Sequence, residues 1–136
     1  MVMNYWLMKE EPKKFTFDQL LKDGKRQWTK VKNYQARNFM REMNKGDLVL
    51  FYASGDVKAV QGVAKVISDG SYPSPEDDTW TWVDIGPVEK FDNEVTLKDI
   101  KSDEFFTGLK LIRQTRLSVM PVESDHFDKL LAMGTK

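Results

Sequence analysis

Apolar runs in this chain are short, and each is cut off by a residue that ends regular structure. Tyr5-Trp6-Leu7-Met8 runs into Lys9-Glu10-Glu11-Pro12, which reads as a buried strand stopped by proline. Thr16 and Gln19 make a capping box ahead of Phe17, Leu20 and Leu21, and Gly24 supplies a left-handed stop; residues 16–23 form a short helix. Trp28 to Val31 reads as a brief extended piece. Asn33 suits the N-cap of a helix reaching about Glu42, with Phe39, Met40 and Met43 inward and Arg37 and Arg41 on one side. Leu48 to Ala53 and Ala59 to Ile67 read as strands, the second with Gly62 where a bulge or sharp coil is expected. Asp69 to Asp78, with Pro73, Pro75 and three successive acids, reads as a surface loop. Trp80 to Val83 alternates as a strand continuing towards Lys90, and Thr96 caps a helix over 97–101. Leu117 to Val122 is a last strand that Pro121 marks as an edge or an end, and Glu123 or Ser124 opens a final helix to Gly134. Short helices without regular crossover spacing argue against a doubly wound α/β fold. They favour α+β, a small curled sheet or partial barrel with helices packed at its rim.

The length of 136 residues fits one domain over 1–136, and no repeat or linker divides it. A hydrophobic share of 40% supports a real core, while 31% charged residues keep it soluble. No apolar run approaches the roughly 20 residues that cross a bilayer. Met1 to Lys9 is too short and aromatic for a secretory leader, so the expected setting is cytoplasmic in a bacterium, or otherwise intracellular. The chain has no Cys, which removes disulfides, thiolate zinc sites and thiol nucleophiles. A single His, His126, removes multi-His metal sites and leaves a Ser-His-Asp triad poorly supported; it reads as a partly exposed structural residue. With no glycine-rich phosphate loop and no nucleophile elbow, neither a metal nor a cofactor is expected.

The formal charge is zero, but its distribution is uneven. Met1 to Leu50 holds 11 basic and 6 acidic residues, whereas Phe51 to Glu104 holds 5 basic and 12 acidic. Lys25, Arg26, Lys30, Lys32, Arg37 and Arg41 follow one another with no acid between them, and Lys110, Arg113 and Arg116 lie in a second acid-free stretch. Because screening limits each charge to about 10 Å, a local basic face binds phosphates even on a neutral molecule. The alternative is a solvated face that binds nothing.

Trp6, Trp28, Trp80 and Trp82, with Tyr5, Tyr34 and Tyr52, are many aromatics for this length. An indole stacks a base with about 1–3 kcal/mol, although any one Trp is as readily a core residue. Trp80 and Trp82 would share a sheet face, as a cage wall or as a core layer. Lys32-Asn33-Tyr34-Gln35-Ala36-Arg37-Asn38 opens a helix, where free N–H groups, Asn side chains and a forked guanidinium can meet phosphates and base edges. Adjacent carboxylates such as Glu10 and Glu11 usually point apart and are solvated.

Taken in order, Tyr5 to Pro12, Trp28, Val31 to Phe39, Gly46 to Tyr52 and Arg116 to Val122 resemble the EVE domain, a PUA-like family, over nearly the whole chain. The resemblance implies a PUA-like mixed β pseudobarrel with short helices at its rim, akin to YTH and ASCH domains. It also implies a non-catalytic domain that takes a modified base of DNA or RNA into an aromatic-lined pocket; separately, a monomer is expected. On this basis the expected base pocket comprises Trp6, Lys9, Glu10, Trp28, Asn33, Tyr34, Gln35, Tyr52, Ser54, Trp80, Trp82 and Ser118. Phosphate contacts are expected from Lys30, Lys32, Arg37, Arg41 and Arg116. The chain departs from the usual family pattern at Glu10 for Ser, Ala53 for His and Met120 for Gln, read as three altered polar pocket positions, and at Lys30 for Gly. An anion at Glu10 would suit a donor edge such as an exocyclic amine. The competing readings are a base-processing enzyme using Glu10 or Glu11, a small-molecule binder, and a protein-interaction module docking through its basic helix.

Overall fold

A computed structural model describes residues 3–135; Met1, Val2 and Lys136 lie outside the described residues, and with them part of the 1–9 leader reading and both ends of the 1–136 span. Seven strands make one curled mixed sheet: β1 (Tyr5–Glu10), β2 (Arg26–Trp28), β3 (Leu48–Ala53), β4 (Ala59–Val66), β5 (Tyr72–Pro73), β6 (Thr81–Thr96) and β7 (Val119–Val122). Their order is β2-β6-β4-β3-β1-β7, with β5 on β6. Only β1 and β3 pair in parallel, Tyr5 opposite Leu48 through Glu10 opposite Ala53. Pro121 sits on the edge strand β7, opposite Trp6, where its missing donor costs no ladder bond to a further strand.

Among the described residues five short helices pack on this sheet: α1 (Phe17–Asp23), α2 (Tyr34–Arg41), α3 (Leu97–Lys101), α4 (Lys110–Arg113) and α5 (Ser124–Gly134). Their boundaries follow local chemistry. The Thr16 hydroxyl accepts from the Gln19 N–H, and Gly24 at φ 79° closes α1. Asn33 caps α2 by accepting from the Ala36 N–H, and Thr96 caps α3 through Asp99. β5 falls inside the expected 69–78 loop and β2 begins before the expected 28–31 piece; α4 and the 3₁₀ turn Glu104–Phe106 are likewise additional to the sequence expectation. They are single turns fixed by burial of Phe106 and Leu111 rather than by periodicity.

Coiling is strongest on β4. Its register slips against β3 between Phe51 and Tyr52 and against β6 between Val60 and Gly62. At Gly62 a Cβ would stand 2.6 Å from the Phe17 ring and 2.6 Å from the Glu89 carbonyl. The missing side chain lets α1 lie directly on the sheet. Phe51, fully buried, collects the rings of Phe17 at 5.4 Å, Trp28 at 6.1 Å and Phe15 at 6.4 Å. This cluster fixes the position of β2 and of the segment that follows it. Among the described residues no helix is long and apolar enough to cross a membrane.

Candidate functional site

Where β1 ends, the sheet opens into a cleft of about 570 Å³. One side is the end of β1, Lys9 to Glu11, flanked by Ser54 after β3 and Ser118 before β7. The other is the extended segment from Trp28 to Lys32, with Arg26 and Lys14 at the rim. Trp28 is the one indole in the lining. Its ring stands edge-on against Phe51, at 86°, and is 5% exposed. The hydrophobic core therefore holds the single aromatic wall in place.

Five cations line the cleft, and they are not equivalent. Lys9 donates from Nζ to the Thr115 carbonyl at 2.9 Å and lies 5.7 Å from the Tyr52 ring centre. Burial lowers the Lys9 pKa and raises that of Tyr52 beneath it. Arg26 stacks over Phe15 at 4.2 Å and approaches Glu10 Oε2 at 3.4 Å. The other oxygen of Glu10 accepts from the Glu11 N–H. Its main-chain carbonyl takes both the N–H and the hydroxyl of Ser54. The anion that stands where the family usually has Ser thus sits in the wall with one oxygen near Arg26 and the other on the Glu11 N–H. Lys14, Lys30 and Lys32 complete the positive rim.

A second, shallower hollow of about 310 Å³ is lined by Asn33, Gln35, Thr115, Arg116 and Leu117, with Gln114. The Lys9 to Thr115 bond ties the two hollows together. Outside them, Tyr34 and Trp80 stack with centres 5.1 Å apart, Lys32 lies over Trp80, and Arg37 lies over Tyr34.

Several expected site residues fall elsewhere. Trp6 does not line the cleft: it is 3% exposed, packs near Phe39, and donates its indole N–H to Asp47 Oδ2 at 3.0 Å. Asp47 is itself buried and also accepts the Asn4 and Asn44 N–H groups, so Trp6 belongs to a buried polar anchor between β1 and β3. Trp80 and Trp82 form no common cleft wall. Trp80 precedes β6 and goes to Tyr34, whereas Trp82 meets Tyr72 edge-on. Tyr52 is buried under Lys9 and reaches the cleft only through it. Arg37 spends Nη1 on the Thr79 carbonyl and Nε and Nη2 on Asn38 Oδ1, and Arg41 also points to Thr79. Of the altered family positions, only Glu10 and Lys30 face the cleft; Ala53 and Met120 are buried in their strands. His126 is buried rather than partly exposed, with Nε2 on the Phe105 carbonyl at 2.9 Å.

Arg26, Lys14, Thr29 and Val31 line the cleft without having been singled out for it. For Arg26, the acid-free basic run was the available signal. The side-chain direction came only from the pairing of β2 with β6, Arg26 opposite Ile85.

The EVE domain family model matches residues 4–133. The chain is 31% identical to thymocyte nuclear protein 1 of Mus musculus, over 96% of this chain and 73% of that protein. A crystal structure of an Agrobacterium tumefaciens protein superposes with a TM-score of 0.92 at 38% identity, covering 96% of this chain and 92% of that one. The human THYN1 protein, solved in complex with 5-methylcytosine-containing DNA, superposes with a TM-score of 0.87 at 26% identity, covering 98% of each chain. With the curled mixed sheet, the helix-opening Asn33 motif and this match in agreement, the chain belongs to the EVE domain family.

Proposed function

We propose that this chain is a non-catalytic nucleic-acid-binding domain that admits one modified base of DNA or RNA into the cleft at the end of β1. The observation that carries the reading is the cleft itself, a core-anchored indole facing a rim of five cations. The human relative solved with 5-methylcytosine-containing DNA supports the same ligand class. Lys14, Lys30, Lys32 and, from the second hollow, Arg116 attract the phosphates. Trp28 offers the edge of its indole to the unstacked base, and Lys9, Glu10, Ser54 and Ser118 test its edge. Asn33 and Gln35 serve the neighbouring sugar or base. Unstacking costs a few kcal/mol, least in single strands, and aromatic contact with satisfied hydrogen bonds offsets it.

A non-catalytic role is supported by Glu10, whose carboxylate is engaged by Arg26 and the Glu11 N–H. Glu11 stands at the surface beside Lys14. The deciding experiment is a binding screen of single- and double-stranded oligonucleotides carrying different base modifications, at fixed salt. Preference for one modified base supports the reading. Equal, weak binding of every oligonucleotide refutes it, and an altered nucleoside appearing on incubation would replace it with an enzyme.

A further inference from the structure

Tyr34 is 61% exposed, the most open of the large apolar and aromatic side chains among the described residues. It is nevertheless held rigidly. Trp80 stacks against it with planes 28° apart, and the Arg37 guanidinium lies 4.9 Å from its centre. Lys32 Nζ sits 5.3 Å from the Trp80 ring. The result is a stacked indole–phenol column flanked by two cations, and it adjoins the cleft because Lys32 is also a cleft-lining residue. Arg37 is locked in its own plane by Asn38 and the Thr79 carbonyl. Its three bonded nitrogens leave little for a forked phosphate contact, while the flat face of the group is unaffected.

This column is poorly explained as core. An exposed ring contributes little burial, and ordering the long Arg37 side chain costs conformational entropy. What such an array supplies is a preformed flat surface with positive charge beside it. Bases stack on aromatic rings and on guanidinium planes alike, with little dependence on sequence. Lys32 and Tyr34 are two residues apart, so their Cα atoms are separated by at most about 7 Å. That is about two base-stacking rises of 3.4 Å.

We propose that the Tyr34–Trp80 column is a second stacking site, which takes an unpaired nucleobase flanking the base held in the cleft while Lys32 meets the phosphate between them. The inference rests on the cleft reading and extends it to a substrate class. A base on Tyr34 must be free of its complement, so the protein favours single-stranded or locally opened nucleic acid over intact duplex. Arg37 accordingly serves as a stacking surface and as the clamp on Thr79, in place of the phosphate contact expected from sequence.

The test uses the full chain and three probes: a single-stranded DNA hexamer with one central 5-methylcytosine, its duplex, and 5-methyldeoxycytidine monophosphate. Wild type, Tyr34→Ala and Tyr34→Phe are compared by fluorescence anisotropy or calorimetry, after thermal melting has shown equal folding. The exposed position makes both variants compatible with the fold. Loss of one stacked base predicts that Tyr34→Ala weakens hexamer binding roughly five- to hundredfold. Tyr34→Phe should match wild type, the mononucleotide affinity should be unchanged in both variants, and the preference for hexamer over duplex should shrink in Tyr34→Ala. Hexamer binding by Tyr34→Ala within twofold of wild type overturns the second site and leaves the cleft reading standing. An equal loss for hexamer and mononucleotide also overturns it, since Tyr34 would then act on the cleft. A wild-type chain that binds none of the three overturns the second site for 5-methylcytosine DNA, while the cleft reading stands or falls on the modification screen.

Discussion

Glu10 brings a negative charge into a wall that five cations line, and Arg26 stands 3.4 Å from it. Glu10→Ser restores the common family residue and frees the guanidinium. The oligonucleotide preference should then move towards bases with acceptor edges, and total affinity should rise as a rim cation is released. Identical modification-array profiles for the two proteins would place Glu10 outside base reading. Lys9 gives a pH dependence. Its pKa is lowered by burial, so its charge disappears below the ordinary lysine range. Affinity should fall as pH rises through that lowered value, and Lys9→Arg, which stays charged, should flatten the profile. The stability linkage has the opposite direction: the folded state sheds this proton first, so stability rises across the same interval. Trp6 behaves as core. Trp6→Ala should cost about 3–5 kcal/mol in urea unfolding, while the fraction that remains folded should bind oligonucleotide within about twofold of wild type.

At the scale of elements, helix α2 matters more than its eight residues suggest. Its cap, Asn33, accepts from the Ala36 N–H at 2.9 Å and sets the angle at which Tyr34 leaves the chain. Asn33→Ala should lower stability by about 1 kcal/mol; it should also weaken hexamer binding more than mononucleotide binding. The contact of α1 on β4 is as demanding. Gly62→Ala drives a methyl into the Phe17 ring and the Glu89 carbonyl. A loss of about 1–3 kcal/mol is expected in denaturant unfolding, with the midpoint shifting and the slope retained. Capping and strand alternation were legible because each is a short-range signal, as Thr16 with Gln19 and Asn33 with Ala36 demonstrate. The single-turn α4 was not legible, since no side chain caps it and only Leu111 buries it.

Over the whole molecule the net charge is zero, yet five basic residues of the first third line the cleft, and Asp77, in the Glu76-Asp77-Asp78 run, stands close enough to Lys32 to feel its charge. Hydrogen bonds from Thr79 lower the Asp77 pKa, and the charge of Lys32 lowers it further. A phosphate at Lys32 therefore competes with that carboxylate. Asp77→Asn should raise affinity modestly and leave base preference unchanged. Binding should also weaken steeply with salt, and Lys30→Ala or Lys32→Ala should each reduce the log–log slope by about 0.7–0.9. A salt-independent affinity would exclude phosphate contacts altogether. Burying one added methyl contributes about 0.8 kcal/mol, a several-fold preference, so sharper discrimination requires an unpaired polar group left by the wrong base.

The sequence by itself determined where the capped helices start, that short helices pack at the rim of a small curled sheet, and that cationic charge clusters in the first third. Those properties are written in caps, alternation and proline stops within a few residues of one another. Which aromatic faces the cleft was decided only in three dimensions. Trp6 and Trp28 are the same residue type, each on a strand. Trp6 is drawn inward by an aspartate 41 positions away, and Trp28 is stood on edge by Phe51 from another strand. Lys9 is fixed by a carbonyl 106 positions along the chain. A side chain's destination is set by partners that only folding brings within reach, and no local pattern encodes their direction.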